Sequence, residues 1–197
     1  YMEDAGQKNS YTVKQILELA LKLKSNADQM KEVNATDKLL YATLLYNLSF
    51  YGKNHYILDN HWNQYGSNAV YYNFDSIDTH IFCNNKDYYE MPFHKSYQNY
   101  FRLTTSEKYA KDALAILKTG EEKAQATFLL AKCWQKRCPR KTKFNTEYHY
   151  WEDVSDYVGY TLNNPYFKNL SIDLKNTNMQ ERVFNTCSYY KMYLGKK

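Results

Sequence analysis

The chain has 197 residues and a net charge of +5, from 26 basic and 21 acidic side chains, with only 6 Gly and 3 Pro. That length suits one domain, and so few chain-breaking residues exclude a turn-rich β architecture in favour of helices. Apart from a cluster at Lys132, Lys136, Arg137, Arg140, Lys141 and Lys143, the basic residues are scattered; with no continuous Arg-bearing stripe a nucleic-acid partner is excluded, and the cluster reads as a solvated helix end.

Residues 1–10 are polar and are expected to form a flexible N-terminus ahead of a single domain over 11–194. Thr12 and Gln15 make a capping-box pair. Ile16, Leu19, Ala20 and Leu23 then step along one helical face to about Ser25. A second helix is expected from about Thr36 to Tyr51, ended by Gly52 in a left-handed conformation. Its apolar residues, Leu39, Ala42, Leu45, Tyr46 and Ser49 with Leu40, Leu44 and Leu48 beside them, wrap most of the circumference. Such a helix has two neighbours.

From about 53 to 91 periodicity fails, and asparagines alternate with rings such as Tyr56, Trp62, Tyr65 and Tyr71. A structureless loop of that length is improbable in a compact domain, so this is read as an aromatic-rich irregular insertion of short turns. Pro92 opens a stripe of Phe93, Tyr97, Tyr100 and Phe101. Thr104 with Glu107 suggests a cap for the next helix, which carries Tyr109, Ala113, Ile116 and Leu117. Thr119 with Glu122 caps another from about Gly120 to Lys136, and the short connection between the two forces an antiparallel return.

After Pro139 an irregular basic passage to Thr146 is expected. A helix from about Thr146 to Leu162 follows, on the spacing of Tyr148, Trp151, Val154, Tyr157 and Val158. Asn164 and Pro165 cap and open a short turn. Thr177 and Gln180 cap a final helix striped by Val183, Phe184, Cys187, Tyr190 and Leu194, and 195–197 read as an exposed tail.

The core formers Leu, Ile, Val and Phe fill just 40 positions, whereas there are 22 Tyr and 3 Trp. Each such ring can bury roughly 150–250 Å², so the core is expected to lean on tyrosines. No run approaches the ~20 apolar residues of a membrane span.

Two helices repeat one spacing: Ala42, Tyr46 and Ser49, then Ala124, Phe128 and Ala131. Small residues at i and i+7 open a groove for a neighbouring helix, and the ring at i+4 fills it. With Tyr109, Ala113 and Ile116 on the preceding helix, residues 105–137 resemble a tetratricopeptide repeat; Ile16, Ala20 and Leu23 with Ala42, Tyr46 and Ser49 match it with a longer connector. The strings Leu45–Gly52, Leu130–Cys133, Asn164–Phe167 and Cys187–Tyr190 are also similar to strings in the C-terminal part of large envelope proteins of the Bacteroidota. That likeness implies an exported helical-repeat segment with no catalytic residues to carry over.

Candidate chemistry is thin. His55 and His61 lie six apart, not the i, i+4 of a helical metal pair, and His80 with Cys83 has no companion pair, so no metal is expected. Cys83, Cys133, Cys138 and Cys187 fit no zinc pattern and read as reduced thiols. Glu147, Glu152, Asp153 and Asp156 read as a solvated acidic face rather than a glycosidase pair. No two glycines fall within five residues of each other, so no phosphate loop exists and no cofactor is implied.

The expected molecule is therefore all-α: stacked antiparallel helix pairs, tetratricopeptide-like, with one aromatic-rich insertion. Tyr109, Ala113, Ala124, Phe128, Ala131, Ala42, Tyr46 and Ser49 are assigned to packing. A non-enzymatic scaffold for protein–protein interaction in the cell envelope, within an outer-membrane or secretion complex, is the leading function. Tyr56, Trp62, Tyr65 and Trp151 are its candidate contacts. The alternative is a periplasmic or surface module binding carbohydrate through those same rings.

Overall fold

The computed structural model describes residues 12–29, 34–49, 51–52, 103–138, 142–148 and 150–195. These are mostly helical, with one two-stranded hairpin. The N-terminal decapeptide, the insertion over 53–91 and the Phe93–Phe101 stripe lie outside the described residues.

Helix α1 spans Val13–Ala27 and starts on a reciprocal cap: the Thr12 hydroxyl accepts from the Gln15 amide, and Gln15 Oε1 accepts from the Thr12 amide at 2.8 Å. Helix α2 covers Ala35–Asn47 and so stops one turn short of Tyr51. Gly52 does not adopt a left-handed backbone. Its role is close approach, since a Cβ there would lie 2.2 Å from the Asn47 carbonyl oxygen. Between the two helices, side chains close the C-terminus of α1. Lys38 Nζ donates to the Ala27 carbonyl, and Asn34 Nδ2 donates to that of Asn26 at 2.9 Å, satisfying carbonyls that a helix end leaves without partners.

Helix α3, Thr104–Ile116, begins differently from the expected Thr104–Glu107 cap. Leu103 is its cap, fully buried and left-handed at φ 59°, and no side chain bonds the first amides. A left-handed Leu is strained by roughly 1–2 kcal/mol, a cost offset by burying its side chain. Glu107 is released to pair elsewhere. Helix α4, Gly120–Gln135, follows after three residues, with the Thr119 hydroxyl accepting from the Glu122 amide at 3.2 Å.

The segment expected to be one helix from Thr146 divides. Strand β1 (Thr142–Asn145) pairs antiparallel with β2 (Tyr150–Asp153), with Phe144 opposite Trp151. The Asn145 carboxamide oxygen accepts from the amides of Glu147 and Tyr148 at 3.0 and 3.1 Å, which bends the chain locally and competes with helix. Only α5, Tyr157–Leu162, is helical, capped by Asp156 through the Gly159 amide at 2.7 Å. The irregular passage before Thr146 is correspondingly strand from Thr142.

Helix α6 (Pro165–Ile172) has Pro in its first turn and Asn164 as cap. The expected final helix is broken. Helix α7 (Asn178–Thr186) ends at an extended Cys187, and α8 (Ser188–Gly195) restarts at once, so Gly195 closes a helix.

Packing runs α1 on α2, α2 on α3, α3 on α4, then α4 on α6 and α7, with α8 against α5, α6 and α7. Two apolar clusters result. The first joins α1–α4 through Leu23, Leu39, Tyr41, Tyr46, Leu130 and Cys133. The second joins α4 to the C-terminal helices through Phe128, Phe167, Leu170, Val183, Tyr190 and Tyr193. Five tyrosines, Tyr41, Tyr46, Tyr109, Tyr190 and Tyr193, are among the buried residues. Tyr109 meets Tyr41 edge-on at 4.9 Å and donates its hydroxyl to Asp28. That hydrogen bond is the main force holding the Asp28 carboxyl below its ordinary range.

A candidate partner-binding groove

All eight residues assigned to packing are buried: Ala42, Ala113, Ala124 and Ala131 completely, and Tyr46, Ser49, Tyr109 and Phe128 nearly so. The small positions also expose backbone to their neighbours. Ser106 Oγ of α3 donates to the Ala42 carbonyl at 2.8 Å, and Asn164 Nδ2 donates to the Ala131 carbonyl at 3.1 Å. A larger side chain at either alanine would hold the neighbouring segment away from that oxygen.

Tyr56, Trp62 and Tyr65 lie outside the described residues, as do Cys83 and all of the histidines, His55, His61, His80, His94 and His149. Trp151 is placed only by its backbone, in β2 opposite Phe144. Among the described residues no three His, Cys, Asp or Glu converge as metal ligands.

Two constellations remain. In the first, the mostly buried Glu107 of α3 accepts from Lys111 at 2.8 Å on one oxygen and from Arg137 at 2.6 Å on the other. Burial alone would raise its pKa, but the two cations outweigh burial and hold it below the ordinary carboxylate value. Such a carboxylate stays ionised with both oxygens engaged, which suits it to pinning the end of α4 onto α3 and not to accepting a substrate proton. Nearby Cys133 is fully buried, and burial pushes its thiol up to about 11. It is therefore not the thiolate that nucleophilic chemistry needs. Cys133, Cys138 and Cys187 are all thiols.

The second constellation is a groove of about 250 Å³ where α2, α4 and α7 meet. Helix α2 contributes Thr36, Leu39, Leu40 and Thr43; α4 contributes Glu122, Gln125, Phe128, Leu129 and Lys132; α7 contributes Met179 and Arg182. Leu39, Phe128, Leu129 and Met179 are buried and form its floor, while Leu40 stands on the rim, 45% exposed. Lys132 Nζ lies 4.2 Å from the Tyr46 ring centroid and 5.3 Å from that of Phe128, within cation–π range of both.

No protein-family model matches the chain, and no curated protein or solved structure matches it. The reading of its function therefore rests on the groove. Sequence reasoning missed that groove because its lining is assembled from three helices far apart in the chain. One sign was visible: α2 is apolar around most of its circumference, more than α1 and α3 can cover, and Leu40 is part of the remainder.

Proposed function

We propose that this protein is a non-enzymatic scaffold of stacked antiparallel helix pairs, tetratricopeptide-like, that holds a segment of a protein partner in the groove between α2, α4 and α7, within a cell-envelope assembly. The observation that carries this reading is the groove itself: an apolar floor with a polar and charged rim, the lining expected of a recognition surface. Its size points the same way. Small-molecule and cofactor pockets run to ~300–1,000 Å³, so a groove of 250 Å³ suits one or two side chains from a larger partner. The pairing of α3 with α4 across three residues, and the alanines at the docking positions, support the repeat architecture. The envelope setting rests on the likeness of Leu45–Gly52 and the three later strings.

A photo-crosslinking amino acid at Leu40, on the rim, tests the reading in cells that make the protein. The expected result is a discrete protein adduct, identified by mass spectrometry, that disappears when Gln125→Trp fills the groove. A glycan adduct instead, or a pattern unchanged when the probe is moved to Lys168 on α6, refutes it.

A further inference from the structure

We infer that α5 is a strap, closed over the end of α4 by a contact that leaves polar groups unsatisfied, and poised to open while the rest of the fold stays intact. Helix α5 contributes nothing to the groove.

The unsatisfied groups of the molecule gather beneath this strap. Among the described residues, two buried side-chain atoms lack a hydrogen-bond partner, Trp134 Nε1 and Gln135 Oε1. Both belong to consecutive residues of α4, and both side chains meet α5. The Trp134 ring stacks on that of Tyr160, with centroids 5.2 Å apart and planes 16° from parallel. Gln135 Nε2 donates to Thr161 Oγ1 at 2.7 Å, and that hydroxyl donates in turn to the Tyr157 carbonyl at 2.7 Å. The one hydroxyl hydrogen is then used, so Thr161 can only accept from Gln135, and the amide oxygen is left over. Turning the carboxamide over would move the deficit to its nitrogen. With α5 lifted each atom takes a water; with α5 closed neither has that bond, so closure works against their desolvation.

Little opposes release. Helix α5 has six residues, of which Thr161 is the buried one. None of them belongs to either apolar cluster, and Tyr157 and Val158 are 38% and 41% exposed. The Tyr160 hydroxyl reaches the Arg137 carbonyl only at a long 3.4 Å. Immediately after α5 the chain is firmly anchored, because buried Asn164 donates to the Ala131 carbonyl. A short helix with few buried apolar contacts, joined to a fixed point, can open on its own. Its release bares the Trp134 ring and the Gln135 carboxamide at the end of α4.

Hydrogen exchange of the full chain, followed by NMR, tests this with Gln135→Met, which nearly keeps the volume and removes the orphaned oxygen. Thr161 retains its bond to Tyr157, so no new group is stranded. The amides of Tyr160 and Asn163 bond the Asp156 and Gly159 carbonyls. In the wild type they are expected to exchange about a hundredfold faster than interior amides of α4, after correction for intrinsic rates. Gln135→Met is expected to slow them about tenfold and to be at least as stable in urea titration, although it deletes a buried hydrogen bond. Thr161→Val strands both ends of the carboxamide and is expected to speed them about tenfold. Exchange in α5 no faster than in α4 would overturn the strap. So would exchange that neither substitution changes, or that Gln135→Met quickens, since Oε1 would then have a partner in the closed protein. A Gln135→Met chain that loses its helical circular dichroism overturns it equally, because the strap requires that substitution to stabilise.

Discussion

Replacing Phe128 with Ala is the sharpest test of how the two halves of the molecule are joined. The side chain is 6% exposed and packs in the cluster containing Ala124, Phe167, Leu170 and Met179. An aromatic side chain buries ~150–250 Å², which at about 25 cal/mol per Å² gives about 4–6 kcal/mol as an upper figure. Alanine retains the Cβ, so about 3–5 kcal/mol is expected, in line with buried Phe→Ala substitutions generally. Domains of this size carry only about 5–15 kcal/mol in all, so the variant should remain folded but melt roughly 6–20 °C lower. Urea titration followed by circular dichroism measures the loss, with Leu21→Ala as control, since Leu21 is 69% exposed and should change stability by under about 0.5 kcal/mol. A loss below about 1 kcal/mol at Phe128, with an unchanged denaturant slope, would refute the packing argument.

Glu107→Gln is expected to destabilise by about 2 kcal/mol near neutral pH, discounted for the partial exposure of Arg137. Because the folded pKa of Glu107 is depressed below 4.5, its stabilisation is full above that value and fades as pH falls through the folded one; the gap between wild type and variant in urea titrations should therefore close in acid. Cys133 should resist iodoacetamide in the native protein at pH 8 while half-buried Cys187 reacts, as read by peptide mass spectrometry. Since the folded Cys133 thiol sits at about 11 against an ordinary 9.0, its contribution is full below the ordinary value and lost as pH climbs toward the folded one. Asn164→Ala removes both the α6 cap and the bond to the Ala131 carbonyl, worth about 2 kcal/mol together by thermal melting. Asn164→Asp keeps the cap acceptor but faces a carboxylate toward that carbonyl, and should be no more stable than the Ala variant.

The helices that were legible in the sequence carry strong local signals. Thr12, Thr119 and Thr177 each cap the helix that follows, and α4 presents small and bulky residues at regular intervals. What escaped has physical reasons. Tyr148, Trp151, Val154, Tyr157 and Val158 step at helical intervals, but a four-residue strand is too short for its own period to declare itself. The decisive groups were Asn145, whose carboxamide turns the chain, and Asp156, which starts a new helix only at Tyr157. The break at Cys187 was invisible because one extended residue leaves Val183 and Tyr190 in the same cluster, so the apolar stripe continues across it. The Thr104–Glu107 pair had the right letters for a cap, yet Arg137 and Lys111 claim the carboxylate. The groove depends on tertiary placement of Leu40, Lys132 and Arg182, which no window of sequence contains.

Helix α4 has a consequence for how the molecule comes apart. Ala126, Leu129, Leu130 and Cys133 on one flank belong to the first cluster, and Ala124, Phe128 and Ala131 on the other belong to the second. It is a party wall: neither room can be emptied without baring the plaster on one side of it. Pairs that met only through a loop could melt one at a time. A wall held in common makes the two halves fail together, so damage on the C-terminal side should be felt as far away as α1.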